Sequence, residues 1–317
     1  MDALQLCMGK FPDFENTMKY LNMRLFSTLN LACVLGAMTI LSGSSALAAN
    51  AALPKLKALA PKPNYVIGRC VNMAGKPLAG IKIFIKGITM AGGQNTETFT
   101  KTKANGAFSI RVPDGSYTVY ASHEVDAYDE SYRFRLEALD GESDMQDSKD
   151  GVVEDFVWKI QGLRPDEKAK ATSEREWNYS YYGARIYPET RRSLGQYTNL
   201  EDETSLSKTY PEDSKLEITL KPEGPLIDGS TGKTITGLLR MGDIGMWTFG
   251  VRNIPVGVYN ASVKVITPDG QKIAVRCKVD AEGKNIDDVP WAPSARIVFP
   301  AETGEFGQSA KLYLAKP

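Results

Sequence analysis

Two runs of residues in this chain of 317 carry side chains whose chemistry could act in concert. The first is Asp140, Glu142, Asp144, Asp147 and Asp150, carboxylates at near-alternate positions. A calcium ion takes about six to eight oxygen ligands, so the run is a candidate calcium loop. The EF-hand pattern is not met: its sixth position holds no Gly, and Gly151 falls where the closing acid belongs. A solvated acidic loop is the competing reading. The second run is Trp177, Tyr179, Tyr181 and Tyr182. At the period of a strand, Trp177, Tyr179 and Tyr181 share one face. Flat aromatic faces stack on sugar rings and Tyr hydroxyls bond to sugar hydroxyls, so this face is a candidate glycan platform. The alternative is that the same face closes a core.

Other chemistry is scarce. The chain has one histidine, His123, too few for a zinc or copper first shell. It follows the strand-like run Tyr117–Ser122, which predicts a surface or edge position. Lys82, Lys86 and Asn105 are the residue types of an isopeptide crosslink, but nothing in the sequence places them together. No pair of acids stands out for hydrolysis, and no catalytic residue is expected. Lys plus Arg and Asp plus Glu both count 38, without a basic stripe, which argues against nucleic acid as a partner.

The N-terminal region reads as an export signal. Arg24 supplies a positive start, Leu25–Ile40 is mostly apolar, and Ala46-Leu47-Ala48 is an A-x-A cleavage pattern. Residues 1–48 are therefore read as a signal peptide, with Met23 or Met18 as other possible starts and a mature chain from Ala49. The apolar run is short for a membrane span, so the mature chain is expected to have none. Secretion follows, to the periplasm, the cell surface or beyond. Cleavage would leave Cys70 and Cys277. Strand alternation turns both toward a core, in different domains, and predicts free thiols over a bridge.

What must position these residues is a series of strands. After an Ala/Pro/Lys linker, 49–63, strand signals fall at Tyr65–Met73, Ile81–Lys86, Thr96–Lys103, Ala107–Val112, Tyr117–Ser122, Tyr132–Leu136 and Val153–Ile160. Ile81, Ile83 and Ile85 share one face, and Asn105-Gly106 and Asp114-Gly115 mark turns. Residues 163–212 lose this pattern, gain charge, and read as a connection carrying one or two strands. From Ser214 the pattern resumes at Lys215–Leu220, Thr234–Leu239, Met246–Val251, Val258–Ile266, Lys272–Val279, Ala295–Phe299 and Ala310–Leu314. A short echo links the halves. Pro113-Asp114-Gly115-Ser116-Tyr117 and Pro255-Val256-Gly257-Val258-Tyr259 both turn the chain and open a strand on the Tyr.

Within 65–122, Ile67-Gly68-Arg69-Cys70-Val71, Gly75-Lys76-Pro77-Leu78-Ala79-Gly80-Ile81, Asn105-Gly106-Ala107-Phe108-Ser109-Ile110 and Val112-Pro113-Asp114-Gly115-Ser116-Tyr117 follow in order. This series resembles the carboxypeptidase regulatory-like domain, a prealbumin-type β-sandwich. The resemblance implies a fold and leaves function open. Such modules accompany peptidases, receptors and surface proteins, and related sandwiches bind glycans. Iron dioxygenases of that fold use two His, and its hydrolases use several, which one His does not supply.

The reading is an all-β protein: two Ig-like or prealbumin-like β-sandwich domains, 64–162 and 213–317, joined by the aromatic- and charge-rich connection 163–212. Its expected function is non-catalytic binding of a polysaccharide. The alternatives are a structural or adaptor surface protein that binds another protein and, behind it, a carboxylate-based hydrolase. No cofactor is expected unless calcium binds at Asp140–Asp150.

Overall fold

The computed structural model describes residues 52–140, 145–164, 181–189, 206–243, 250–279, 286–301 and 308–317. The export signal lies outside them. The fold is all-β: the described helical segments are no longer than α1 (Leu206–Thr209).

The N-terminal half begins with β1 (Tyr65–Asn72), β2 (Lys82–Thr89), β3 (Asn95–Lys101), β4 (Ala107–Arg111) and β5 (Gly115–Ala127). It continues with β6 (Glu130–Arg135), β7 (Glu137–Ala138), β8 (Gln146–Asp147), β9 (Val152–Val153) and β10 (Phe156–Trp158). These strands make two sheets. One runs β4-β1-β10-β7 with β9 beside β1; the other runs β3-β2-β5-β6 with β8 beside β5. The alternation in β2 explains the layering. Ile81, Ile83 and Ile85 are fully buried, and burial of each such side chain contributes about 1.5–3 kcal/mol. They meet Val66, Phe108 and Phe156 of the other sheet in one core. Where β9 passes into β10 along β1, Gly68 lies so close to the Glu154 carbonyl that a Cβ there would fall 1.7 Å from it. Only glycine lets the strands approach. The segment before β1 is tied down as well: Arg69 forks onto Asp155 (3.1 and 2.6 Å) and donates to the Lys57 carbonyl (2.7 Å).

The C-terminal half comprises β11 (Ala184–Glu189), β12 (Lys215–Pro222), β13 (Ile235–Arg240), β14 (Val251–Ile254), β15 (Val258–Ile266), β16 (Lys272–Val279), β17 (Ala295–Val298) and β18 (Ser309–Ala315). Their order is β13-β12-β15-β16-β18-β11-β14, with β17 beside β15. This sheet folds over on itself. The first half of β16 pairs with β15 at Lys272–Val275, and the second half pairs with β18 at Arg276–Val279. One strand thus serves both layers, a corner known from packed sheets. The two ends of the path meet: a Cβ on Gly237 of β13 would fall 2.4 Å from a methyl of Val251 in β14. The connection 163–212 contains β11, and that strand sits inside this sheet between β18 and β14. Its pairing with β18 is parallel, a partner more than 100 residues away that local pattern does not announce.

The buried side chains of both halves belong to one core cluster, and the described residues form a single compact unit. Much of the joint is made by the β5–β6 hairpin. Tyr132 donates its hydroxyl to the Phe299 carbonyl at 2.5 Å, Tyr128 donates to the Pro225 carbonyl at 3.3 Å, and the Ala301 amide donates to the Glu130 carboxylate. From the other side, the Gly162 amide donates to Asn253 Oδ1 at 2.6 Å. The hairpin tip has an unusual sequence for its geometry. Tyr128 and Asp129 both hold positive φ, 53° and 67°, where two-residue turns prefer Asn-Gly. A bulky residue in that region is strained by about 1–2 kcal/mol, and here its ring lies edge-on to Tyr132 at 6.0 Å while its hydroxyl reaches the other half.

Both echo motifs form the same device. The Tyr117 hydroxyl donates to the Pro113 carbonyl at 3.0 Å, and the Tyr259 hydroxyl donates to the Pro255 carbonyl at 2.7 Å. Each is a tyrosine corner, in which a buried ring at a strand start holds the incoming turn. Cys70 and Cys277 are free and fully buried, one in each half. Burial raises both thiols, that of Cys277 to about 11.

Candidate functional site

Of the aromatic run, Trp177 and Tyr179 lie outside the described residues. Tyr181 and Tyr182 are half-buried. Tyr181 forms a bridge with Leu163, and the Tyr182 amide donates to the Gly162 carbonyl at 2.9 Å. The Tyr182 ring is flanked by cations: Lys159 Nζ is 5.0 Å from its centroid and the Arg164 guanidinium 5.5 Å. Lys159 in turn pairs with Glu137 at 2.5 Å, both side chains almost wholly buried. A buried ion pair gives little net stability, since desolvation opposes it, but removing either partner strands a charge. Tyr182 therefore packs on the N-terminal half. His123 is likewise a packing residue. It stands in β5, half-buried, with its ring edge-on to Trp158 at 4.6 Å, and burial lowers its pKa. The expected surface or edge position is replaced by this contact because β5 continues past Ser122 to Ala127.

Of the acidic run, Glu142 and Asp144 lie outside the described residues. Asp140 and Asp150 are exposed, and Asp147 is half-buried in β8. Asp147 Oδ1 accepts from the Lys149 amide at 2.9 Å, closing a local turn. No group of three or more metal-ligating side chains assembles among the described residues. Asp140 instead bears on Glu154. That carboxyl is buried and accepts from Gln146 Nε2 at 3.0 Å. Burial first, and then the neighbouring Asp140, push it up to about 8. Lys82 and Lys86 point to the outer face of the N-terminal half, while Asn105 caps its own turn at the Ala107 amide.

That outer face is the surface the sequence reading passed over. If Ile81, Ile83 and Ile85 face the core, then Lys82, Phe84, Lys86 and Ile88 face away from it. Phe84 pairs across β3 with Phe99 and across β5 with Tyr120, so three aromatic residues stand side by side on neighbouring strands. Neighbouring strands lie about 4.8 Å apart, which makes a continuous aromatic row. Phe99 is 64% exposed, and Ile88 and Met90 at the end of the same hairpin are exposed too. Cations line the row. Lys82 Nζ sits 4.7 Å from the Phe84 ring and 5.3 Å from the Phe99 ring, and Arg135 lies 5.3 Å from the Tyr120 ring. Lys86 pairs with Glu97 and Arg133 with Glu124, both exposed. Lys82, Arg135 and Lys101 are engaged by no carboxylate among the described residues. The signal for this face was present: Phe84 stands out of phase with the isoleucines, and Phe99 interrupts a Thr-rich strand.

No family model matches the sequence, and a search of curated proteins returns no match. Solved structures similar to the chain include the TIE protein of Bacillus anthracis, at 13% identity over 80% of this chain and 34% of that one, with a TM-score of 0.27. The shaft pilin SpaA of Lactobacillus rhamnosus GG aligns at 13% identity over 81% and 99%, with a TM-score of 0.21. Two B repeat units of the collagen-binding protein of Staphylococcus aureus align at 12% over 81% and 50%, with a TM-score of 0.20. The chain spans about a third of the first of these. At such low identities and TM-scores, none of the names carries over.

Proposed function

We propose that the protein is an exported, non-catalytic structural or adaptor protein that holds two β-sandwich surfaces in a fixed relation and binds another protein through one of them. The observation that carries this reading is the joint. Tyr128, Glu130 and Tyr132 on one hairpin bond to the backbone at Pro225, Ala301 and Phe299, three points of attachment that favour a rigid joint between the halves. Rigidity of this kind serves an element that transmits geometry between contacts. Export rests on the leader read in residues 1–48. No described helix is long and apolar enough to cross a membrane.

Glycan binding is the second reading, and the row Phe99, Phe84 and Tyr120 favours it, because exposed rings on a sheet face suit sugar stacking. One experiment separates the two. The chain from Ala49, exported by its native cells and treated with a short crosslinker, is expected to yield a defined adduct with one other protein. The purified chain is expected to pass a polysaccharide panel unretained. Retention on a polysaccharide with no protein adduct would replace the first reading with the second.

A further inference from the structure

Strand β3 differs from the other free ends of the described sheets. It is the longest of them at seven residues, and every residue along it is exposed or half-exposed. Strands β4, β7 and β14 are shorter, β13 meets β14, and β6 belongs to the hairpin that joins the halves. An edge strand offers a row of unpaired amides and carbonyls, which proteins ordinarily blunt with charge or proline. The edge carries two charges, Glu97, which Lys86 faces at 3.6 Å, and Lys101, but Phe99 stands between them, 64% exposed, and no proline is present. The sheet face beside it carries the aromatic row with Lys82, Lys101 and Arg135 around it, on a chain whose formal charge sums to zero. Backbone valence, apolar area and positive charge therefore coincide at one place.

Resting on the adaptor reading, we infer that β3 receives an extended acidic segment of the partner protein. The segment adds as a further strand along the edge. Its alternate side chains lie across Phe99 and Phe84, and its carboxylates meet Lys82 and Lys101. Strand addition draws affinity from main-chain hydrogen bonds and specificity from alternate side chains. The charge selects against basic partners, since like charges brought together at an interface are costly. A polysaccharide would use the rings but leave the edge amides of β3 as they are.

The test uses the mature chain and a labelled peptide of alternating Glu and Val, roughly ten residues long to run past β3 at about 3.3 Å per residue. A peptide of alternating Lys and Val and the acidic polysaccharide polygalacturonate serve as counter-probes. The expected result is saturable binding of the acidic peptide, slowed hydrogen exchange confined to 95–101 and its neighbours, and at least about tenfold weaker binding in the Lys82→Glu, Lys101→Glu double variant. Phe99→Ala, an exposed change that leaves the core intact, is expected to weaken binding as well. Equal binding of the basic peptide, binding of polygalacturonate alone, binding without protection of β3, or no binding of the acidic peptide would each overturn the inference. A crosslinked partner attached away from 82–101 would overturn it too, while leaving the adaptor reading standing.

Discussion

The two tyrosine corners share a motif and a hydrogen bond but are braced differently. At Tyr117 the brace is polar and stays within its own half. Ser148 Oγ donates to the same Pro113 carbonyl at 3.0 Å and accepts from the Gly115 amide at 3.0 Å. At Tyr259 the brace is aromatic and leads on to the other half. The ring lies edge-on to Phe299 at 6.2 Å, and the Phe299 carbonyl is the one that accepts from Tyr132 of the other half. One corner stabilises its own half. The other has been built into the joint, so a single five-residue pattern serves a local role in one place and a coupling role in the other.

The largest effect is expected from Tyr259→Ala, which empties a fully buried site beside the joint and should destabilise the protein by about 3–5 kcal/mol in urea titration. A loss as large for Tyr117→Ala, accompanied by weakened coupling between halves, would break the contrast. Tyr132→Phe comes next. It leaves the Phe299 carbonyl without this donor in a buried setting, at about 1–3 kcal/mol, and should split one calorimetric transition into two. Smaller still is the difference between the hydroxyl deletions. Tyr117→Phe should be the milder, under about 1 kcal/mol, because Ser148 still serves Pro113; Tyr259→Phe should exceed it in the same titration.

A pH series sharpens the comparison from the N-terminal side. Glu154 is raised to about 8 in the folded protein from an ordinary 4.5, chiefly by burial and then by Asp140. The folded form keeps a proton that the unfolded chain releases, so stability falls as pH rises through that window and levels off above it. The urea midpoint should drop between pH 5 and pH 8, and Glu154→Gln should flatten the drop. A slope unchanged in the variant would place the titrating group elsewhere.

Much of the fold was legible because strand alternation and turn chemistry are local. The sequence reading matched Val258–Ile266 and Lys272–Val279 end to end, and the inward isoleucines of β2 and the free, core-facing cysteines followed from period two. What escaped it depends on distant partners. The β9–β10 irregularity answers to the close approach at Gly68, β11 finds its place beside β18, and His123 packs on Trp158 from a strand longer than its apolar run suggests. The Pro-x-Gly-x-Tyr echo predicted a hairpin corner, yet not the hydroxyl bond that closes it. The candidate site fared differently. A search for clustered aromatics in sequence finds Trp177–Tyr182, whereas a sheet face gathers Phe84, Phe99 and Tyr120 from three strands, and no linear window holds them together.

The two buried thiols give the molecule its own pair of gauges. Cys70 lies in β1 of one half and Cys277 in β16, the strand shared by both layers of the other. Neither sulfur is accessible while its half is closed, and raised pKa values keep both unreactive in place. Alkylation at each cysteine therefore clocks the opening of its own half. Matching rates would describe a joint that lets neither half open alone; unequal rates would identify which half yields first under load.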